Sequence, residues 1–213
     1  MFLQINTENP SMRKIGKVIE CLENGGVIVY PTDTVYGLGC DIHNQKAVER
    51  ICRIKGIKPN KANLSFICND LSHLSEYAAQ LDNSTFKLLK RTLPGPFTFI
   101  LKASNVVPKL FKNNKKTVGI RVPDNKIAQT LVQELGRPIL STSLKADDDF
   151  VEYLTDPFDI YEQYKKLVDI VIDGGIGRTV PSTVVDCTGY EPCLLYTSPS
   201  PRDLSTSRMP SSA

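Results

Sequence analysis

The chain has 213 residues, of which 41% are hydrophobic and 23% charged, with a formal net charge of +3. That length supports one domain with a full apolar core, and the composition excludes collagen-like and broadly disordered classes. So small a net charge does not by itself mark a nucleic-acid binder, although lysines cluster at Lys109, Lys112, Lys115 and Lys116.

The six cysteines, Cys21, Cys40, Cys52, Cys68, Cys187 and Cys193, include no C-x-x-C spacing, and only His43 and His73 could join them. No zinc site is expected from such a set. Cysteines inside apolar runs such as ICRIK and FIC read as small buried hydrophobes in a reducing cytosol. The opening MFLQINTENP lacks the apolar stretch of a secretory leader, and no apolar run approaches the ~20 residues of a membrane span. A cytoplasmic location is the expectation.

In chain order, Ser11 caps an expected helix over MRKIGKVIECLEN, with Ile15, Val18, Ile19 and Leu22 on one face and Gly25-Gly26 as its stop. VIVYP is a β-branched run typical of a strand buried on both sides. A glycine-rich turn follows it and leads to NQKAVERICRIK, whose Val48, Ile51, Cys52 and Lys55 mark a second helix. LSFIC reads as a strand, and Asn69 or Asp70 as the cap of the helix after it. NSTFKLLKRTLPG is a helix capped by Asn83 or Ser84 and ended near Pro94. FTFILKA and TVGIRVP are strands, Asn125 to Leu135 is a helix closed by Gly136, and PILSTS is a short strand. Pro157 to Leu167 is helical, and VDIVIDGG and STVVDCT are the last two strands. Strands and helices alternating with short joints define an α/β domain without fixing strand order.

Several polar groups fall at strand ends. PTDTVYGLG, Pro31 to Gly39, puts two hydroxyls, a carboxylate and a phenol at the carboxyl end of a buried strand. α/β sheets usually bind ligands there, although the same residues suit a plain turn. Lys55, Lys58 and Lys61 sit where a helix ends, placed either to offset its dipole or to clamp a polyphosphate. Arg121 is a charged exception in an apolar strand and requires an anionic partner, from the protein or from a ligand. Ser141 to Ser143 and Pro181 to Thr183 add hydroxyls at two more strand ends. No P-loop pattern and no Ser-His-Asp order occurs, and GGIG at Gly174 to Gly177 is read as a turn with only a weak phosphate-loop signal.

Taken in order, GGVIVYPTDTVYGLG, the Lys55 region, LPGPFTFILK, TVGIRVPDNKIAQ, ILSTS, VDIVIDGG and PSTVVD resemble the YrdC-type threonylcarbamoyl-AMP synthases, in particular their YciO-like branch. The similarity runs from about Ile15 to Pro192. It implies a single YrdC-like domain with a twisted mixed sheet flanked by helices around a concave cavity. The implied reaction joins L-threonine, bicarbonate and ATP, with Mg²⁺, into threonylcarbamoyl-AMP and pyrophosphate for tRNA modification. The resemblance assigns Thr32, Tyr36, Arg121, Ser141 and Ser182 to the threonine side. It assigns Lys55, Lys58, Thr117 and Ser143 to the ATP side. It also implies an alternative, a module that binds tRNA or double-stranded RNA.

The chain departs from the family pattern at Ile57, where the family has arginine, and at Leu144-Lys145, where it has Ala-Asn. The family's arginine after PSTVVD is replaced within Leu194, Leu195 and Tyr196. The string from Cys193 to Asp203 resembles a translated sequencing adapter, and from Thr197 on Ser, Pro and Thr dominate. The expectation is a domain over 1–192 and a non-native, disordered tail over 193–213.

Overall fold

The computed structural model of the chain describes residues 1–57, 64–79, 81–107, 116–144 and 153–196. Strand β1 (Phe2–Gln4) precedes helix α1 (Met12–Glu23), which has Ser11 at its N-cap and buries Ile15, Val18 and Leu22. Strand β2 (Ile28–Tyr30) carries the VIVY run. Its residues divide by parity, Val27 and Val29 entering one apolar cluster and Ile28 and Tyr30 a second. A strand of period two is thus feeding two cores, one on each face of the sheet.

The expected turn after β2 is in fact a hairpin. Strand β3 (Gly37–Asp41) folds back antiparallel to β2, with Tyr30 opposite Gly37 and Ile28 opposite Gly39. GLGCD carries little strand propensity of its own. Its glycines have a packing reason: a Cβ on Gly39 would lie 2.9 Å from the Tyr30 ring and 2.7 Å from the Ile139 side chain. Tyr30 is fully buried above this bare strip of backbone.

Helix α2 (Gln45–Ile54) is capped by Asn44, strand β4 (Ser65–Ile67) follows, and helix α3 (Leu71–Tyr77) is capped by the Asp70 carboxylate. Helix α4 (Asn83–Thr92) takes Asp82 as its cap, one residue before the expected Asn83 or Ser84. The Asp82 carboxylate accepts from the Thr85 amide at 2.7 Å and from the Ser84 hydroxyl. Strands β5 (Phe97–Lys102) and β6 (Thr117–Arg121) form an antiparallel pair. Helix α5 (Lys126–Leu135) runs from the Asn125 cap to Gly136, whose φ of +67° suits a glycine stop. Strand β7 (Ile139–Ser143) is followed by helix α6 (Pro157–Tyr164), three residues shorter than expected from Pro157 to Leu167. Strands β8 (Ile170–Asp173), β9 (Thr183–Asp186) and β10 (Cys193–Tyr196) complete the sheet.

The strand order is β1-β8-β2-β3-β7-β4-β6-β5-β9-β10, with parallel and antiparallel neighbours mixed. On one face α1 and α5 cover β2, β8 and the near ends of β4 and β7. On the other, α2, α3, α4 and α6 pack on residues that include Leu38, Phe66, Phe99 and Val118. No side chain of β5, β6 or β9 belongs to the α1–α5 cluster among the described residues. There Thr117, Gly119 and Arg121 alternate with the core residues Val118 and Ile120, and so face away from the larger core.

The boundary expected at 192 falls inside paired structure. Cys193 lies opposite Asp186 and Leu194 opposite Val185, so β10 extends the sheet past it. Strands β1 and β10 were not foreseen; both are short edge strands whose place is set by a neighbour rather than by their own pattern.

Two glycine substitutions test this packing. Gly39→Ala is expected to cost about 1–3 kcal/mol, as overpacking of a filled core does. Gly16→Ala, on the exposed side of α1 with nothing within 4 Å of its new methyl, is expected to stabilise by about 0.5–1 kcal/mol. Urea denaturation of the two variants reads both signs.

Candidate functional site

Arg121 closes β6 and is 93% buried, at 7% exposure. A guanidinium in that setting requires acceptors around it. The loop between β2 and β3 supplies them. Arg121 Nη2 forms an ion pair with the Asp33 carboxylate, donates to Thr34 Oγ1 at 2.8 Å, and reaches Thr32 Oγ1 at 3.4 Å. Nη2 carries two hydrogens, so the two shorter contacts dominate and the third is marginal. The side chains of both ion-pair partners are over nine-tenths buried. The pair is nevertheless incomplete, because Arg121 Nε and Asp33 Oδ2 are buried without a hydrogen-bond partner.

The loop is tied internally as well. The Thr32 hydroxyl donates to the Val35 carbonyl at 2.7 Å and accepts from the Thr34 amide at 3.1 Å. Thr32 therefore sets the shape of the loop as well as its surface. Tyr36, at the loop's end, donates from its phenol to the Gly175 carbonyl at 2.7 Å and accepts from the Gly174 amide at 3.2 Å. Burial pushes the Tyr36 phenol up to about 12, so it stays a neutral clasp. The segment it holds, Gly174 to Arg178, follows β8 and includes Gly175 at φ +90°.

Together these segments wall a cavity of about 320 Å³. Thr32, Asp33 and Tyr36 form one side, Pro94 to Pro96 and Asp124-Asn125 another, and Gly174 to Arg178 a third. That volume is at the small end of ligand pockets. A larger, shallower depression of about 910 Å³ lies between the start of α4 and the turn Thr188 to Pro192. It contains none of the expected site residues.

Of the expected site residues that are described, only Thr32 and Tyr36 line the cavity. Arg121 stands directly behind Thr32 and Asp33. Ser141 and Ser143 lie on the strand next to β3, opposite Gly39 and Gly37. Ser141 is buried, and its hydroxyl accepts from the Tyr30 phenol at 2.6 Å. Ser141 is also opposite Ser65, which is opposite Gly119, so a strip of small residues crosses three strands beside Arg121. Ser182 pairs its hydroxyl with that of Thr98 at 2.8 Å at the start of β9. Thr117, buried, begins β6 opposite Lys102. Lys55 is the half-buried C-cap residue of α2. Lys58 lies outside the described residues, as do Lys61 and Lys145. Ile57, at the position of the family's arginine, packs against the larger core.

The roles of Asp33, Thr34, the Gly174 to Gly177 turn and Tyr30 are not assigned by the sequence. Asp33 and Thr34 read as strand-end groups that suit either a ligand or a plain turn; what the sequence does not reveal is that both face Arg121. GGIG reads as a turn with only a weak phosphate-loop signal, and it walls the cavity. Tyr30 carried no signal beyond strand propensity. Among the described residues no group of three or more His, Cys, Asp or Glu side chains gathers as a metal site, and no helix is long and apolar enough to cross a membrane.

Fold and site define an α/β domain with a polar cavity backed by a buried ion pair. The chain belongs to the Sua5/YciO/YrdC family, whose model, described as "Telomere recombination", matches residues 20–198. It is 45% identical over 196 residues to YciO of Escherichia coli K12, covering 91% of this chain and 93% of that one. The crystal structure of E. coli YciO superposes with a TM-score of 0.86 over 92% of this chain and 95% of that one. The threonylcarbamoyl-AMP synthase of Vibrio vulnificus YJ016 is 34% identical over 178 residues, 80% of this chain and 91% of that protein. Sua5 of Pyrococcus abyssi, solved in complex with L-threonine, matches at 30% identity and a TM-score of 0.83, over 92% of this chain and 57% of that one.

Removing the Asp33 carboxylate leaves a buried guanidinium held only by hydroxyls. Asp33→Ala is expected to destabilise the fold by about 3–5 kcal/mol, the usual effect of breaking a buried pair from one side. Chemical denaturation checks this, and a loss under about 1 kcal/mol would mean the pair is as weak as an exposed one.

Proposed function

We propose that this chain is an L-threonylcarbamoyl-AMP synthase. The L-threonine amine and bicarbonate form a carbamate with loss of water, the carbamate oxygen attacks the α-phosphorus of ATP, and pyrophosphate leaves. The observation that carries this reading is the half-satisfied Arg121: a buried guanidinium, with Nε unpartnered, behind the cavity wall at Thr32 and Asp33. A planar fork of that kind suits a carboxylate. The likeness to a Sua5 solved with L-threonine supports an amino acid as the owner of that carboxylate.

In this reading the cavity takes threonine, with its carboxylate toward Arg121 and its side chain between Thr32 and Tyr36. Ser141 and Ser182 contribute hydroxyls from the neighbouring strands. ATP, entering with Mg²⁺, lies toward Thr117 and Ser143, with Lys55 against its phosphates and Lys58 close by in sequence. Ile57 offers no charge there, so lysine alone compensates the polyphosphate from this segment. The chemistry asked of the protein is positioning and charge compensation rather than proton transfer. The product would serve tRNA modification. Of the lysines behind the RNA-binding alternative, Lys109, Lys112 and Lys115 lie outside the described residues, and no observation favours that reading over the synthase.

Purified protein incubated with ATP, Mg²⁺, bicarbonate and L-threonine is expected to release pyrophosphate only when threonine is present. Threonine-independent release, or none, would count against the proposal. Arg121→Lys keeps the charge and loses the fork. It is expected to raise the threonine KM roughly 10- to 100-fold, the value of a charged hydrogen bond, with little change in the ATP KM.

A further inference from the structure

Tyr30 reaches unusually far for a core residue. It sits on β2, yet its phenol bonds to Ser141 on β7, with β3 between them. The ring can lie across β3 only because that strand carries no side chain at the crossing. A Cβ on Gly37 would lie 3.1 Å from both the ring and Ser141 Oγ, and one on Gly39 would lie 2.9 Å from the ring. The two glycines of YGLG are therefore the channel through which Tyr30 reaches Ser141.

The direction of the hydrogen bond matters. Tyr30 donates, and Ser141 Oγ accepts at 2.6 Å. A hydroxyl that accepts there keeps its own proton for another acceptor. Among the described residues no such acceptor is found for Ser141 within the protein. The phenol also lies within the electric field of the ion pair. Burial dominates in pushing it up to about 12, while the Arg121 charge pulls the other way and Asp33 adds to the rise. At neutral pH Tyr30 is thus a permanent donor, close to the anchor proposed for the substrate carboxylate.

We propose that Tyr30 is a positioning residue for the amino-acid substrate: its phenol fixes the Ser141 hydroxyl as a donor aimed at the anionic ligand that Arg121 attracts. Tyr30 touches no substrate atom and acts only through Ser141. The inference rests on the synthase reading for the identity of the ligand, but its own content is the coupling between the two hydroxyls.

The test is a double-mutant cycle on ligand binding. L-Threonine and, separately, ATP with Mg²⁺ are titrated calorimetrically into wild type, Tyr30→Phe, Ser141→Ala and the double variant. Tyr30→Phe preserves the ring that fills the channel, and a thermal melt of each variant confirms that it is folded. Tyr30→Phe is expected to weaken threonine binding roughly 3- to 10-fold, the net worth of one hydrogen bond, and to leave ATP binding unchanged. In the Ser141→Ala background the same substitution is expected to have no effect on threonine binding. Additive losses in the cycle, or equal losses for threonine and ATP, would show a merely structural Tyr30 and overturn the proposal. Wild-type affinity in Tyr30→Phe would overturn it while leaving the synthase reading intact. No threonine binding by wild type would instead defeat the reading on which it rests.

Discussion

A charged guanidinium inside a sheet is tolerated only if the surrounding chain supplies acceptors, and in this protein the Pro31 to Tyr36 loop is shaped to do that. Thr32, Asp33 and Thr34 all turn toward Arg121 Nη2. The loop's internal bonds, from Thr32 to Val35 and to the Thr34 amide, hold that shape. Tyr36 then ties the loop to Gly174 and Gly175, which brings the third wall of the cavity into place. The cavity is in this sense a consequence of satisfying one buried charge. The protein leaves that charge only partly satisfied, since Arg121 Nε and Asp33 Oδ2 have no partner.

The sheet makes this possible by treating its two faces differently. One face carries the larger apolar cluster and packs on α2, α3, α4 and α6. The other is apolar only where α1 and α5 cover it. Beyond their reach the same face presents Ser141, Ser65, Gly119 and Arg121, small or polar residues in register across neighbouring strands. The Asp41–Arg137 pair, at 2.6 Å, ties the far end of β3 to the segment leading into β7. It keeps the β3–β7 pairing fixed beneath Tyr30. Strand order, glycine placement and the buried phenol are thus parts of one arrangement.

Much of this was legible in the sequence, and for physical reasons. The helical period of Ile15, Val18 and Leu22 and the β-branched runs VIVY and IVID report directly on burial. Arg121 stood out because a charge in an apolar strand demands explanation. What could not be read is what tertiary contact decides. Strand β3 has glycines where strand propensity expects branched residues, and the Tyr30 ring, together with Ile139 and Ser141 on β7, explains why. Edge strands β1 and β10 exist because β8 and β9 offer them free edges. Asp33 looked like a turn residue, because nothing local distinguishes a turn aspartate from the partner of an arginine 88 residues away. The order of family-like segments groups Thr32, Tyr36, Arg121, Ser141 and Ser182; of these, Thr32 and Tyr36 line the cavity and Arg121 reaches Thr32 from behind it.

The proposed role of Arg121 is to anchor the carboxylate of an amino-acid ligand in the cavity walled by Thr32 and Asp33. The most direct measurement compares L-threonine with L-threoninol, which keeps the amine, the hydroxyl and the methyl group but lacks the carboxylate. Each is titrated against the wild-type protein and its effect on the melting temperature recorded. The account predicts that L-threonine binds and raises the melting temperature, while threoninol at the same concentration does neither. Equal binding of the two compounds would contradict it.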